Sequence, residues 1–102
     1  MAGFNWRFDW DPGKALSNRI KHGISFQHAT TVLKDPLAIS IFDDEHSAGE
    51  ERWVTLGVSS TGIVLVVVHT MEQTGPDSSD VRLISARRAT RAEMRDYREG
   101  TQ

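Results

Sequence analysis

The run Ile63-Val64-Leu65-Val66-Val67-Val68 constrains the fold of this 102-residue chain more than any other stretch. It is far too short to cross a bilayer as a helix, which takes about 20 apolar residues. Nearly every side chain in it is β-branched, a type that packs well on a pleated sheet and loses freedom in a helix. The run therefore reads as a buried strand, and the rest of the chain has to supply its neighbours.

Four further segments qualify as strands. Phe4, Trp6, Phe8 and Trp10 alternate with polar residues, so one face of a first strand is aromatic. The spacing predicts later strands over 37–42, 52–59, 63–71 and 81–87, with Thr61-Gly62 as a tight turn between the second and third of these. The polar stretches 43–49 and 72–80, the latter with Gly75-Pro76, read as loops. Asp11-Pro12 is a helix start and Gly23 a helix stop, so a helix should run to about His22. Ser25 caps a second helix with Phe26, Ala29, Val32 and Leu33 inward, ending before Asp35-Pro36. Thr90-Arg91-Ala92-Glu93 is a capping box for a last helix that frays by Gly100. The expected architecture is α+β: an antiparallel β-sheet with two N-terminal helices and one C-terminal helix, packed mainly on one face. The length fits a single domain over 1–102.

The chain has no cysteine, which removes disulfides, thiolate catalysis and Cys-based zinc sites and fits a reducing, cytoplasmic setting. The N-terminus lacks the apolar core of a signal peptide, and no membrane partner is expected. Net charge is −2, yet half of the 12 Lys and Arg residues (Arg82, Arg87, Arg88, Arg91, Arg95, Arg98) lie in the last quarter. Such clustering is compatible with a polyanion partner and equally with a solvated helix face. Nucleotide-binding loops, a serine-hydrolase elbow and an H-E-x-x-H zinc helix are absent, and His22, His28, His46 and His69 lack ligand spacing, so no cofactor or metal is expected.

Cationic and imidazole groups on structured elements remain. Lys21 and His22 end the first helix; Glu51 and Arg52 open a strand; His69 and Arg87 lie near strand ends. Cutting RNA without a metal needs a base for the 2′-OH, cations for the phosphorane and an acid for the leaving oxygen. His and Arg suit those tasks. Each residue also has a plainer role. Lys21 and His22 favour a helix C-terminus by about 0.3–1 kcal/mol, His69 suits a hydrogen-bonded strand end, and Trp53 is either a base-stacking or a core aromatic.

Taken together, Phe8-Asp9-Trp10-Asp11-Pro12 with Lys14, Lys21-His22-Gly23-Ile24-Ser25-Phe26, Glu50-Glu51-Arg52-Trp53, Val66-Val67-Val68-His69-Thr70 and Arg82-Leu83-Ile84-Ser85-Ala86-Arg87-Arg88-Ala89-Thr90, with Glu93 and Tyr97, resemble the BrnT toxin family. The resemblance runs from about Trp6 to Tyr97. It implies a RelE-like fold, an endoribonuclease that halts translation, and a BrnA-like ribbon-helix-helix antitoxin through which the pair meets DNA. Carried over by position, it implies Lys21, His22, Glu51, Arg52, His69 and Arg87 as catalytic residues and Arg82, Arg88 and Trp53 as RNA contacts. The 75–79 stretch is longer than the family hairpin, and His69 stands where relatives equally carry tyrosine. A toxin-like module without activity and a gyrase-directed toxin are the alternative readings.

Overall fold

The structure, a computed structural model, describes residues 3–46 and 49–100. The apolar run forms the central strand β4 (Val64–Thr70), with β3 (Arg52–Val58) antiparallel on one side and β6 (Ser78–Arg88) antiparallel on the other. With β1 (Asn5–Trp10) and β2 (Ile39–Phe42), the spatial order is β1-β6-β4-β3-β2, and β5 (Glu72–Gly75) also pairs with β6.

β1 runs parallel to β6, with Phe8 beside Val81 and Trp10 beside Leu83. The sheet is therefore mixed, a correction to the antiparallel expectation. Trp10 leads directly into the helix α1 (Pro12–His22), which lies against the far end of β6. A strand that delivers the chain there has to run in the same direction as β6.

Segment 72–80 is a second correction. It is a hairpin of β5 and the start of β6, not a loop, and Thr74 and Ser78 hydroxyls meet at 2.8 Å across it. Its β5 strand is an edge strand and mostly exposed, and the start of β6, held between β1 and β5, buries Ser79 in place of an apolar side chain, so the segment lacks the apolar alternation that marks a packed strand.

One face of the sheet carries Leu65, Val67, Val81, Leu83 and Ala86, all buried beneath Ile24, Phe26, Ala29, Val32 and Leu33. These come from α2 (Phe26–Thr30), the 3₁₀ turn Thr31–Lys34 and the linker before them. Full burial of each large aliphatic or aromatic side chain contributes about 1.5–3 kcal/mol. The caps form as the residue types dictate. Asp11 accepts from the Lys14 amide at 2.9 Å, Gly23 adopts φ 71° with its N–H on Arg19, and Ser25 accepts from the His28 amide at 3.1 Å. The second helix tightens to 3₁₀ after Thr30. There the Thr30 and Thr31 hydroxyls donate back to the Gln27 and His28 carbonyls, each at 2.7 Å, in competition with the helical ladder. Gly57 lets this turn approach, because a Cβ there would meet Val32, Ala38 and Asp35 at 3.0–3.1 Å.

The last helix, α3 (Arg91–Gly100), lies over one end of the opposite face, where Arg87 reaches Glu93 and Gly100 lies over Ile39. Helices thus flank both faces, contrary to the one-sided packing expected from sequence. The reason lies in β4 itself. A strand with no polar residue at alternate positions needs cover on both sides, and Val66, facing α3, is as buried as the residues facing α2. Tyr97 ties α3 down by donating to Asp35 at 2.6 Å, the carboxylate that also accepts from the Val58 and Leu37 amides.

Two details of β6 position everything that follows. Residues 83–85 stand opposite 68–69, so β6 carries one extra residue in a β-bulge, with Ser85 beside Val68 and Leu83 beside His69. Beyond the bulge β1 has ended, and α1 closes the vacated edge. The Asn18 amide donates to the Ala86 carbonyl at 2.9 Å, accepts from the Ala86 amide at 3.0 Å and donates to Ile24 at 3.0 Å. This one side chain pairs with β6 as a neighbouring peptide would.

Candidate active site

Side chains alternate along a strand, so Arg82 and Arg87, five residues apart, would fall on opposite faces of a regular β6. The bulge changes that parity. Arg82 sits next to Thr70, whose hydroxyl its amide reaches at 3.2 Å, and Arg87 stands opposite Val66. Both therefore lie on the α3 face, and Arg52, opposite Thr70, joins them. Three rows result: Arg52–Thr70–Arg82, then Val54–Val68–Ser85, then Leu56–Val66–Arg87. Neighbouring rows are about 7 Å apart along the strands.

At the first row Glu50 pairs with Arg82 and lies 3.9 Å from Arg52. Glu51 lines the same cleft, with Glu72 and Gln73 beyond it, and Asp9 and Asp80 line the adjoining hollow with Arg7. Carboxylates outnumber cations here. At the third row Arg87 holds Glu93 in a two-pronged ion pair at 2.8 and 3.0 Å. The same carboxylate accepts from the Thr90 amide at 2.8 Å while the Thr90 hydroxyl accepts from the Glu93 amide, closing the capping box of α3. The Arg87 hydrogen bonds and the Thr90 amide, outweighing the cost of burial, hold the Glu93 carboxyl down at about 2, and Glu93 in turn raises Arg87. Arg87 uses both terminal nitrogens on Glu93 and the Arg88 carbonyl, with capacity left on its fork of five N–H groups.

Lys21 and His22 lie beside the middle row. They line a cleft of about 500 Å³ between α1 and the bulge, together with Lys14, Ser17, Ile84 and Ser85. The sequence-derived candidates therefore spread along one face: Glu51, Arg52 and Arg82 at one end, Lys21 and His22 beside the middle row, and Arg87 at the other end. Among the described residues no three His, Asp or Glu side chains are grouped as metal ligands, and no helix is long and apolar enough to cross a membrane.

Three candidates lie elsewhere. His69 points to the face packed against α2 and is fully buried, with Nδ1 2.9 Å from the Thr70 carbonyl and Nε2 2.6 Å from the Thr55 hydroxyl. A carbonyl only accepts, so Nδ1 carries the proton and Thr55 donates to Nε2; Ser40 then donates to Thr55 at 2.8 Å. Burial lowers the imidazole pKa, outweighing the Thr70 hydrogen bond, and keeps the ring neutral. Trp53, opposite His69, shares that face and packs edge-on against Phe42. Arg88, opposite Leu65, falls there too. Glu93, Ser85 and Lys14 also border the site; the matching stretches include them, and Glu93 has its capping-box spacing besides, but neither signal assigns them a place in the site, and nothing local marks a bulge.

The chain matches, over residues 10–93, the family described as "Ribonuclease toxin, BrnT, of type II toxin-antitoxin system". The chain belongs to the BrnT toxin family. A crystal structure of the Brucella abortus ribonuclease toxin BrnT shares the fold, with a TM-score of 0.59 and 22% identity over 85% of this chain and 100% of that one. No curated protein sequence matches this chain. Membership in the BrnT family makes this a ribonuclease toxin of a type II system, with RNA as its substrate and an antitoxin as its partner.

Proposed function

We propose that the sheet face between α1 and α3 is a metal-independent endoribonuclease site, acting within one RelE-like domain that spans the chain. The observation that carries this reading is the bulge in β6, which gathers Arg52, Arg82 and Arg87 onto one face and opens it toward Lys21 and His22. His22 takes the proton from a 2′-OH, and the 2′-oxygen attacks the adjacent phosphorus. Arg87 and Lys21 stabilise the charge that builds on the phosphorane oxygens, and Arg52, two rows along the face, holds a neighbouring phosphate. The bond to the 5′-oxygen breaks and that oxygen takes a proton from a water that is reprotonated by His22, which restores the neutral imidazole and leaves a 2′,3′-cyclic phosphate. Glu51 stands with Arg82 at the far end, where it helps place the chain, and Trp53 and Arg88 reach RNA only from the other face. His69, enclosed by the sheet and helices, supports the fold instead of supplying a proton.

Cleavage of this kind in the cytoplasm halts translation. A BrnA-like ribbon-helix-helix antitoxin masks the toxin and carries the complex to DNA. Purified protein cuts RNA in EDTA, and loss of all cleavage there excludes the metal-free route. Arg52→Ala and Arg87→Ala relieve the growth arrest caused by expression without antitoxin while keeping the folded circular dichroism spectrum. Arrest by both folded variants, or normal growth with the parent chain, refutes the assignment.

A further inference from the structure

The cleft between α1 and the bulge holds more than the two residues the mechanism uses. Lys14, Ser17 and Lys21 follow one another at helical spacing along one side of α1, so both ammonium groups stand on its rim, about two turns apart. Ile84, the residue that β6 has in excess of its partner, is half-buried and lines the opposite wall beside Ser85. Asp11 is the one carboxylate among the lining residues, against Lys14 and Lys21, and one of its two oxygens accepts from the Lys14 amide. Asn18 is likewise spent on Ala86 and Ile24. The cleft is therefore an open surface groove with an apolar wall and a cationic rim. Its volume of about 500 Å³ lies within the range of about 300–1,000 Å³ common for small-ligand sites.

We infer that this cleft is a nucleotide subsite: it takes the base of the nucleotide next to the scissile phosphate against Ile84 and that nucleotide's phosphate between Lys14 and Lys21. Two observations favour RNA here. Cations dominate this end of the face, whereas carboxylates dominate the Arg82 end. The cleft is also continuous with the proposed cleavage surface through Ser85, which stands one row from Arg87. A strand bound across Arg87 has its next nucleotide directed into this recess. The inference rests on the cleavage-site reading above and adds where the flanking nucleotide goes.

The test is fluorescence anisotropy with a short single-stranded 2′-O-methyl RNA, which lacks the attacking hydroxyl and stays intact. Removing one lysine–phosphate interaction flattens the plot of log affinity against log salt by about 0.7 for a single strand. Lys14→Ala should weaken binding several-fold at low salt and reduce the slope by about that amount, with Lys14→Arg restoring both. Ile84→Ala should weaken binding and leave the slope as it was. If Arg87→Ala binds poorly while Lys14→Ala and Ile84→Ala match the parent, the subsite is refuted and the cleavage surface stands. If all three match the parent, both readings fall. If Lys14→Ala keeps RNA affinity and loses its co-expressed antitoxin, the cleft serves the protein partner and the inference is wrong.

Discussion

An imidazole bonded through both nitrogens inside a sheet, as His69 is, has no proton to offer a substrate. Its partners fix a neutral tautomer, and the enclosing side chains keep it so. Because the folded pKa is below the ordinary value of 6.5, the unfolded chain binds a proton more readily. The neutral ring's contribution is complete above about 6.5 and erodes as pH falls toward the lower folded value. His69→Ala should cost about 2–4 kcal/mol in urea unfolding and flatten the pH dependence of stability below the ordinary histidine value of 6.5. Its cleavage per folded molecule should remain; an abolished rate in a folded variant would return His69 to the chemistry. Asn18 is the second residue whose value is structural. Asn18→Leu leaves three backbone groups without the partner seen here, each costing about 1–3 kcal/mol. We expect a drop of at least about 3 kcal/mol and faster amide exchange at Ala86, and an unchanged midpoint would contradict the pairing.

Helix α3 is held by two carboxylates. Glu93 serves Arg87 and the Thr90 cap at once, and Asp35 receives Tyr97 from the other end. With its folded pKa near 2 against an ordinary 4.5, Glu93 stabilises the native state fully above about 4.5 and progressively less toward 2. Glu93→Gln should lose about 1–2 kcal/mol at neutral pH and weaken the acid limb of the stability curve, measured by thermal melts across pH. For Asp35, burial raises the pKa, yet the Tyr97 hydroxyl and the Val58 and Leu37 amides outweigh it and lower it overall; the same hydrogen bond raises Tyr97 to about 12. Tyr97→Phe should remove about 1.5–3 kcal/mol, read as a lower denaturation midpoint. The caps, the central strand and this last helix were all legible, because each rests on residues within a few positions of one another. The parallel pairing of β1, the hairpin at 72–80 and the bulge were not, since edge choice and strand register depend on distant partners. The site suffered accordingly. Lys21, His22, Arg52, Arg82 and Arg87 could be picked by type and motif, but simple alternation separates Arg82 from Arg87, and nothing local shows that His69, Trp53 and Arg88 share the face packed against α2.

For the molecule as a whole, a net charge of −2 conceals a divided surface. Cations at the α1 end and carboxylates around Arg82 give the proposed RNA track a preferred end. Photo-crosslinking with a 4-thiouridine-containing strand should label α1 and the start of α3 and spare the β5–β6 hairpin. Predominant labelling of that hairpin would reverse the proposed polarity.

The seal that Asn18 forms on β6 has a further consequence for how the protein fails. A sheet edge left open presents unpaired amides and carbonyls to any passing chain, and here that edge adjoins an apolar strand core. Loosening α1 therefore invites intermolecular strand addition as well as unfolding. In a crowded cell, variants weakened at this single amide would leave the working pool as aggregates. For such chains, the loss of toxicity would record insolubility, with every catalytic side chain still in the sequence.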